Sequence, residues 1–274
     1  MCIAFFCLTS YTDEDGTPRI KFIAIDNRDE YYERKTSRMH WWSEPHGDIL
    51  APRDLQRGGT WLGVRRLKDH VRAAFLTNIR VPEHQFGKES RGNLISDFLQ
   101  SDLSVQDFFA QLEPSENHYA GFNMVMFDGE SLGYCCNMNP CGPIPAFTLL
   151  ELGVLYGISN SVLSNPWIKV NRGKQALETI LAAHNSKNDM ELCRKMMPVM
   201  ADAQRVENRR LLPHTGCTED LEYQLSSIFV EPLNNSMYGT RTTIAMVIDG
   251  AHAHILENDL DVESMTWSEK TFAF

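Results

Sequence analysis

The second residue of this 274-residue chain is a cysteine, and its position gives it chemistry that an internal cysteine lacks. A small residue after the initiator permits removal of Met1, which leaves a thiol and a free α-amine on Cys2. That amine titrates near roughly 7.7–8.0, so it accepts the thiol proton close to neutral pH. Nucleophile and base then share one residue. Asn27-Arg28-Asp29-Glu30 carries the charges such a centre uses. A guanidinium from Arg28 would stabilise a thiolate, and the Asp29 carboxylate would hold an ammonium. Three further segments put polar residues at the ends of apolar runs: Asn78 in Leu76–Arg80, Asn160 after Tyr156-Gly157-Ile158-Ser159, and Arg241 in Tyr238–Thr243. Asn amides donate to a developing oxyanion, and an Arg stabilises charge beside it. Each segment also reads as a turn, and Arg28-Asp29 also reads as a local ion pair at a strand end.

Other motifs carry less. Gly58-Gly59-Thr60-Trp61-Leu62-Gly63 lacks the Lys-Ser/Thr ending of a phosphate loop and the spacing of a dinucleotide fingerprint, so it reads as a tight turn feeding a Trp-containing strand. The chain has no HExxH, GxSxG or EF-hand loop. Its seven cysteines have no CxxC spacing, and Cys135, Cys136 and Cys141 lie near no histidine at zinc-finger spacing. Free thiols in a reducing compartment are the expectation. His184, on an apolar helical face, reads as core, and His252 and His254 alternate with alanines on a late strand.

The elements that must position Cys2 are legible at both ends of the chain. Ile3–Leu8 and Ile20–Ile25 read as paired strands, joined by the acidic, Gly/Pro-containing connector Asp13–Pro18. A hairpin of that length returns Arg28 and Asp29 to the start of the first strand. Ala73–Ile79, Asn123–Phe127, Ser227–Val230 and Thr243–Ile248 have strand length and punctuation. Helical periodicity appears at Leu94, Ile95 and Phe98. It recurs at Val105, Phe108, Phe109 and Leu112 behind a Ser104/Asp107 capping box, and along Ala176, Leu177, Ile180, Leu181 and His184. Asp189 reads as the cap of a helix through Leu192, Cys193 and Met196 that Pro198 limits. No linker or repeat divides the chain, which predicts one α+β domain over residues 1–274.

Composition excludes several classes. With 26 Lys+Arg against 36 Asp+Glu the net charge is −10, which opposes an electrostatic grip on nucleic acid or on anionic membrane surfaces. No apolar run approaches the roughly 18 residues of a spanning helix, and the apolar start lacks a basic flank and meets Asp13, Glu14 and Asp15. A cytoplasmic protein is the expectation.

Taken in order, the motifs resemble a known family. Met-Cys-Ile, Asn27-Arg28-Asp29-Glu30, Gly58–Gly63 and Leu76-Thr77-Asn78 come first. Ser90-Arg91-Gly92, Gly121-Phe122-Asn123, Gly157–Asn160, Pro166–Lys169 and Tyr238–Thr242 follow. The ordered set resembles the NRDE family, to which the transport and Golgi organisation 2 homologues belong, over nearly the whole chain. That family resembles the N-terminal nucleophile hydrolases, which implies a four-layer αββα sandwich. By similarity to cysteine acylases of that class, Cys2, Arg28, Asp29, Asn78, Asn160 and Arg241 would form the site. The family also implies intracellular haem mobilisation with haem as cargo, and a role in lipid and acyl-CoA metabolism. The alternatives are an N-terminal cysteine amidohydrolase or thioesterase, or a binding protein for acyl-CoA or lipid. The partner expected is a hydrophobic small molecule, with no metal or nucleotide cofactor, in the cytoplasm and also in mitochondria or at organelle surfaces. The chain departs from the family pattern at Val64–His70, where a shorter Gly-containing turn is usual.

Overall fold

A computed structural model describes residues 2–82, 89–112, 118–144, 146–184, 188–232 and 237–274. The expected first hairpin is there: β1 (Cys2–Thr12) and β2 (Pro18–Tyr31) pair antiparallel from Cys2↔Arg28 through to Thr12↔Pro18. Its connector closes on Asp13, whose carboxylate accepts from the backbone of Asp15 and Thr17, with Gly16 at φ +79°.

β2 has a second neighbour from the far end of the chain. β11 (Tyr238–Asp249) pairs antiparallel along its other edge and continues into β12 (His252–Asp261) and β13 (Thr266–Ala273). The short β10 (Tyr156–Ile158) pairs with the free edge of β1, which completes a six-stranded sheet ordered β10-β1-β2-β11-β12-β13. The middle of the chain makes a second sheet of seven strands. In order these are β3 (Thr36–Trp41), β4 (Ile49–Asp54), β5 (Leu62–Arg66), β6 (Val71–Asn78), β7 (Phe122–Phe127), β8 (Leu132–Cys136) and β9 (Thr148–Leu149). Both sheets are antiparallel throughout.

Strict alternation along the strands sorts the apolar side chains into three cores. Ala4, Phe6 and Leu8 of β1, with Phe22 and Ala24 of β2, meet Leu62, Phe75, Val125 and Phe127 between the two sheets. The residues between them, Ile3, Phe5, Cys7, Ile23 and Ile25, face α3 (Ile168–Ala183) and α4 (Asp189–Met200). On the far side of the second sheet, Ala74, Leu76, Met124 and Met126 pack against α1 (Gly92–Gln100) and α2 (Val105–Leu112). A last short helix, α5 (Glu219–Gln224), follows on the α3/α4 side of the chain order.

The helical reading needs local corrections. α3 begins at Ile168, a full two turns before the apolar stripe, and Ala176 is exposed. His184 is half-buried as the residue that ends α3. Asn188, not Asp189, caps α4 by accepting from the amide of Glu191. Asp189 instead pairs with Lys21 at 2.7 Å. Pro198 does not end α4, which runs two residues further to Met200.

Ser227–Val230 is not a strand. It is mostly buried, but side chains take several of its backbone groups in place of a ladder. Lys169 Nζ donates to the Ser227 carbonyl at 3.1 Å and Asn27 Nδ2 to that of Ile228 at 3.1 Å, while the Val230 amide donates to Thr240 Oγ1 at 2.8 Å.

α3 lies so close to β1 that a Cβ on Gly173 would stand 2.2 Å from Phe5 Cζ. In an ordinary helix Gly→Ala gains about 1 kcal/mol. Here Gly173→Ala overfills the contact and is expected to lower stability by about 1–3 kcal/mol in urea unfolding, the reverse of the propensity effect.

Candidate functional site

The period of two along β2 gives each residue of Asn27-Arg28-Asp29-Glu30 its own task. Asn27 faces the helices and is fully buried. Its Nδ2 donates to the carbonyls of Met200 and Ile228, and its Oδ1 accepts from Thr243. It clamps the sheet to the end of α4. Arg28 faces between the sheets, directly across from Cys2. Its guanidinium stacks 4.3 Å over the Trp61 ring, a cation–π contact that gains strength from desolvation. Asp29 returns to the helix face, where Thr240 donates to its carboxylate at 2.6 Å.

A cavity of about 300 Å³ opens where β1 and β2 end. Cys2, Arg28, Asp29 and Glu30 line it from the first sheet. Thr60 and Trp61 come from the turn that leads into β5, Asn78 from the end of β6, and Arg91 with Gly92 from the start of α1. The register of β10 on β1 brings Ser159 and Asn160 beside Cys2: the Cys2 amide donates to Asn160 Oδ1 at 3.4 Å and Ser159 Oγ to the Cys2 carbonyl at 2.8 Å. Asn160 Nδ2 donates to the Asn78 carbonyl at 2.7 Å. One of its two amide hydrogens is therefore spent on holding β6 and β10 together, and Asn78 is the asparagine that lines the cavity.

Arg241 is not brought to the cavity. It is the extra residue of a bulge in β11, between the pairs Thr240↔Asp29 and Thr242↔Arg28, and it is not among the residues that line the cavity. Its Nη1 donates to the carbonyls of Tyr31 at 3.2 Å and Arg34 at 2.7 Å. It braces the turn that follows β2. Val64–His70 also lies away from the site: Val64, Arg65 and Arg66 continue β5 and the turn closes where Leu67 N meets His70 O at 3.0 Å, at the opposite end of the strand from Trp61. His252 is exposed and His254 half-exposed on the outside of β12. All seven cysteines are free. Met1 lies outside the described residues.

Several site residues carried no assignment from sequence. Trp61 and Arg91 sit inside the ordered motifs, Trp61 after a Gly-Gly turn and Arg91 before the glycine that opens a helix. Gly59 explains the first motif: a Cβ there would lie 2.5 Å from the Gly92 carbonyl carbon, so the two backbones touch only as glycines. Asp26 is the third. It directly precedes the motif and lies on the same face as Arg28, buried, with Oδ1 lacking a partner among the described residues. Lys169 is the fourth, fully buried, donating to the Leu225 and Ser227 carbonyls.

Burial dominates the electrostatics. It pushes the Cys2 thiol up to about 11, with Asp29 and Asp26 acting in the same direction and Arg28 against. Burial also raises Asp29, opposed by nearby Lys169, Thr240 and Arg28, and it holds Asp26 well above the usual carboxylate range. It lowers Arg28, Arg91 and Lys169, the last to about 8. The thiol is therefore protonated at rest, and a nearby base is needed to activate it.

Fold and cavity define a protein of two antiparallel sheets and flanking helices with a cysteine at the open end of its first strand. The chain belongs to the Transport and Golgi organisation 2 family, whose pattern matches residues 1–262; the NRDE family is the same family. It is 28% identical to the mouse Transport and Golgi organization 2 homolog over 295 residues, covering 100% of this chain and 99% of that one. It is 27% identical to the human homolog over 285 residues, covering 100% and 99%, and 26% identical to the Drosophila melanogaster protein over 274 residues, covering 95% and 92%. No helix among the described residues is long and apolar enough to cross a membrane.

The Asp26 carboxyl makes a pH-dependent prediction. Its ordinary value is 3.8 and the fold raises it, so above that pH the folded chain holds a proton the unfolded chain has lost. Stability therefore falls as pH rises through this window. Asp26→Asn removes the effect, so the variant is expected to be more stable than wild type at neutral pH, with the gain vanishing toward about pH 4. Urea unfolding at both pH values checks it; an equal difference at both would show that Asp26 ionises normally.

Proposed function

We propose that this protein is a cysteine acyl-transfer enzyme of the N-terminal nucleophile type, acting on an acyl amide or thioester, and that its layered sheets and helices form that class's αββα sandwich. The observation that carries this reading is the division of charges around Cys2. Arg28 lies across from it on the thiol side of the sheet, and Asp29 lies on the backbone side. Removal of Met1 would put the α-amine between Asn160 Oδ1 and the Asp29 face.

The steps follow from those positions. The amine takes the thiol proton as Sγ attacks the acyl carbonyl, because a thiol near 11 does not ionise by itself at neutral pH. Negative charge develops on the carbonyl oxygen and is met by the Asn78 amide at the cavity wall. The ammonium returns its proton to the leaving amine or thiol as the carbon–nitrogen or carbon–sulfur bond breaks. Water then hydrolyses the Cys2 thioester with the same amine as base, releasing the acid and restoring the thiol. Arg241, off the cavity, is a positioning residue that holds the turn carrying Arg34.

The haem-cargo reading asks for apolar walls against a porphyrin. The walls around Cys2 are mostly polar and charged, with Trp61, Leu76 and Ala120 as apolar exceptions. Acyl chemistry is the reading these residues favour, and the names of the relatives specify neither.

Two measurements test it. Intact mass of the purified protein is expected to lack Met1; uniform retention would overturn the mechanism. With p-nitrophenyl acetate as acyl donor, wild type is expected to form a thioester at Cys2, and Cys2→Ala to lose the burst of p-nitrophenol. Asn78→Ala should slow acylation on the order of 10²-fold. An undiminished burst in Cys2→Ala would move the nucleophile elsewhere.

A further inference from the structure

The cavity around Cys2 holds unclaimed hydrogen-bond donors and positive charge. Arg28 is 4% exposed, and its Nη1 has no partner among the described residues; its nearest carboxylate, Glu30, stands 3.7 Å from Nη2. Trp61 is 8% exposed and its Nε1 also lacks a partner. Arg91 spends Nη1 on a neutral carbonyl, that of Gly121 at 2.8 Å, and forms no ion pair among the described residues.

Of the four carboxylates at the cavity, Asp54 and Asp29 are engaged away from these donors. Asp54 takes Arg34 at 2.8 Å and the amides of Gln56 and Arg57. Asp29 is on the other face of β2 with Thr240. Glu30 accepts from the Tyr31 amide at 2.9 Å, and Glu89 is exposed at the rim. Arg57, the fourth lining arginine, is exposed.

α1 adds to this. Its first residue, Gly92, lines the cavity, Arg91 stands at its N-cap without a side-chain cap, and its first turn holds no acidic residue. The positive end of a nine-residue helix thus opens into the cavity without a built-in counter-charge. The contact of Gly59 with Gly92, joined by Thr60 N to Gly92 O at 3.3 Å, fixes that helix end beside Trp61 and hence beside Arg28.

We infer that the cavity binds an oxyanion group of the substrate, a carboxylate or phosphate, between Arg28, Arg91, Trp61 Nε1 and the start of α1. The substrate class is accordingly a small acyl compound carrying that group close to its reacting carbonyl. The inference rests on the reading of Cys2 as nucleophile. It makes a long apolar chain a poor occupant of the space beside Cys2, because Arg28 Nη1 and Trp61 Nε1 would then stay buried without a partner.

Alkylation separates the inference from the reading on which it rests. Iodoacetate and iodoacetamide deliver the same carbon to a thiol and differ in carrying a carboxylate or a neutral amide. Rates are read peptide by peptide by mass spectrometry, with exposed Cys141 as the internal reference. The iodoacetate-to-iodoacetamide ratio at Cys2 is expected to exceed that at Cys141 by about tenfold or more, as a partly desolvated cationic cavity requires. Arg91→Gln should remove most of this preference, and Arg91→Lys, which keeps the charge and the cavity wall, should retain more of it. Equal ratios at Cys2 and Cys141 would overturn the oxyanion site while leaving the nucleophile standing. No reaction at Cys2 with either reagent would overturn both. Protection of Cys2 from iodoacetamide distinguishes the two anions: succinate acting at lower concentration than inorganic phosphate assigns a carboxylate, and the reverse assigns a phosphate. Protection by neither at concentrations well above those of the reagent would count against the site.

Discussion

The pairing of β1 with β2 in one register is the constraint on which the site depends. Side chains alternate faces along a strand, so a slip of one residue would exchange every inward and outward position. Cys2 would then face Asn27 or Asp29 instead of Arg28, and the apolar residues of β1 would move from one core to the other. Eleven paired positions and two different apolar interfaces oppose that slip. The geometry at the strand end is therefore set by packing up to about 35 Å away along the hairpin. Neither Cys2 nor Arg28 has to hold itself in place.

The same alternation resolves a conflict of charges. A guanidinium and a carboxylate next to each other on one face would pair and cancel. On consecutive residues they point to opposite sides, Arg28 into the space between the sheets and Asp29 toward Thr240 and the helices. β11 completes the separation, since it supplies Thr240 from the far end of the chain and then bulges at Arg241. The front and back of the sequence meet across β2, and neither contains the site without the other.

Sequence makes β1, β2 and β11 legible because each faces a core on both sides, and the hairpin connector has unmistakable turn chemistry; β13, mostly exposed, is not legible. The convergence of Arg28 and Asp29 on Cys2 followed from hairpin length alone. What stayed hidden depends on partners far along the chain. Ser227–Val230 has a strand's composition, yet Lys169 and Asn27 claim its carbonyls. Arg241 reads as a site residue but does not line the cavity, and a one-residue bulge leaves no mark on composition. β3, β4 and β9 are short edge or near-edge strands that follow no simple alternation, with exposed positions at both residues of β9. Arg91 was visible only as part of a motif, because its role comes from a helix end that Gly59 and Gly92 press against the cavity.

Asp26 shows how burial can preserve a charge on its neighbour. Were this carboxyl ionised, it would sit on the same face as Arg28, two residues away, and would compensate the guanidinium from behind. Burial holds it well above the usual carboxylate range, so it is neutral where a typical aspartate is charged. Its unpartnered oxygen lowers stability, since a buried polar atom without a hydrogen bond is unfavourable. The consequence is that Arg28 keeps its net charge for the cavity; among the described residues its one carboxylate within 4 Å is Glu30, at 3.7 Å. Apolar packing from the two cores supplies the stability that this arrangement gives up, which is why a polar, charged cavity can be maintained at the end of an otherwise apolar hairpin.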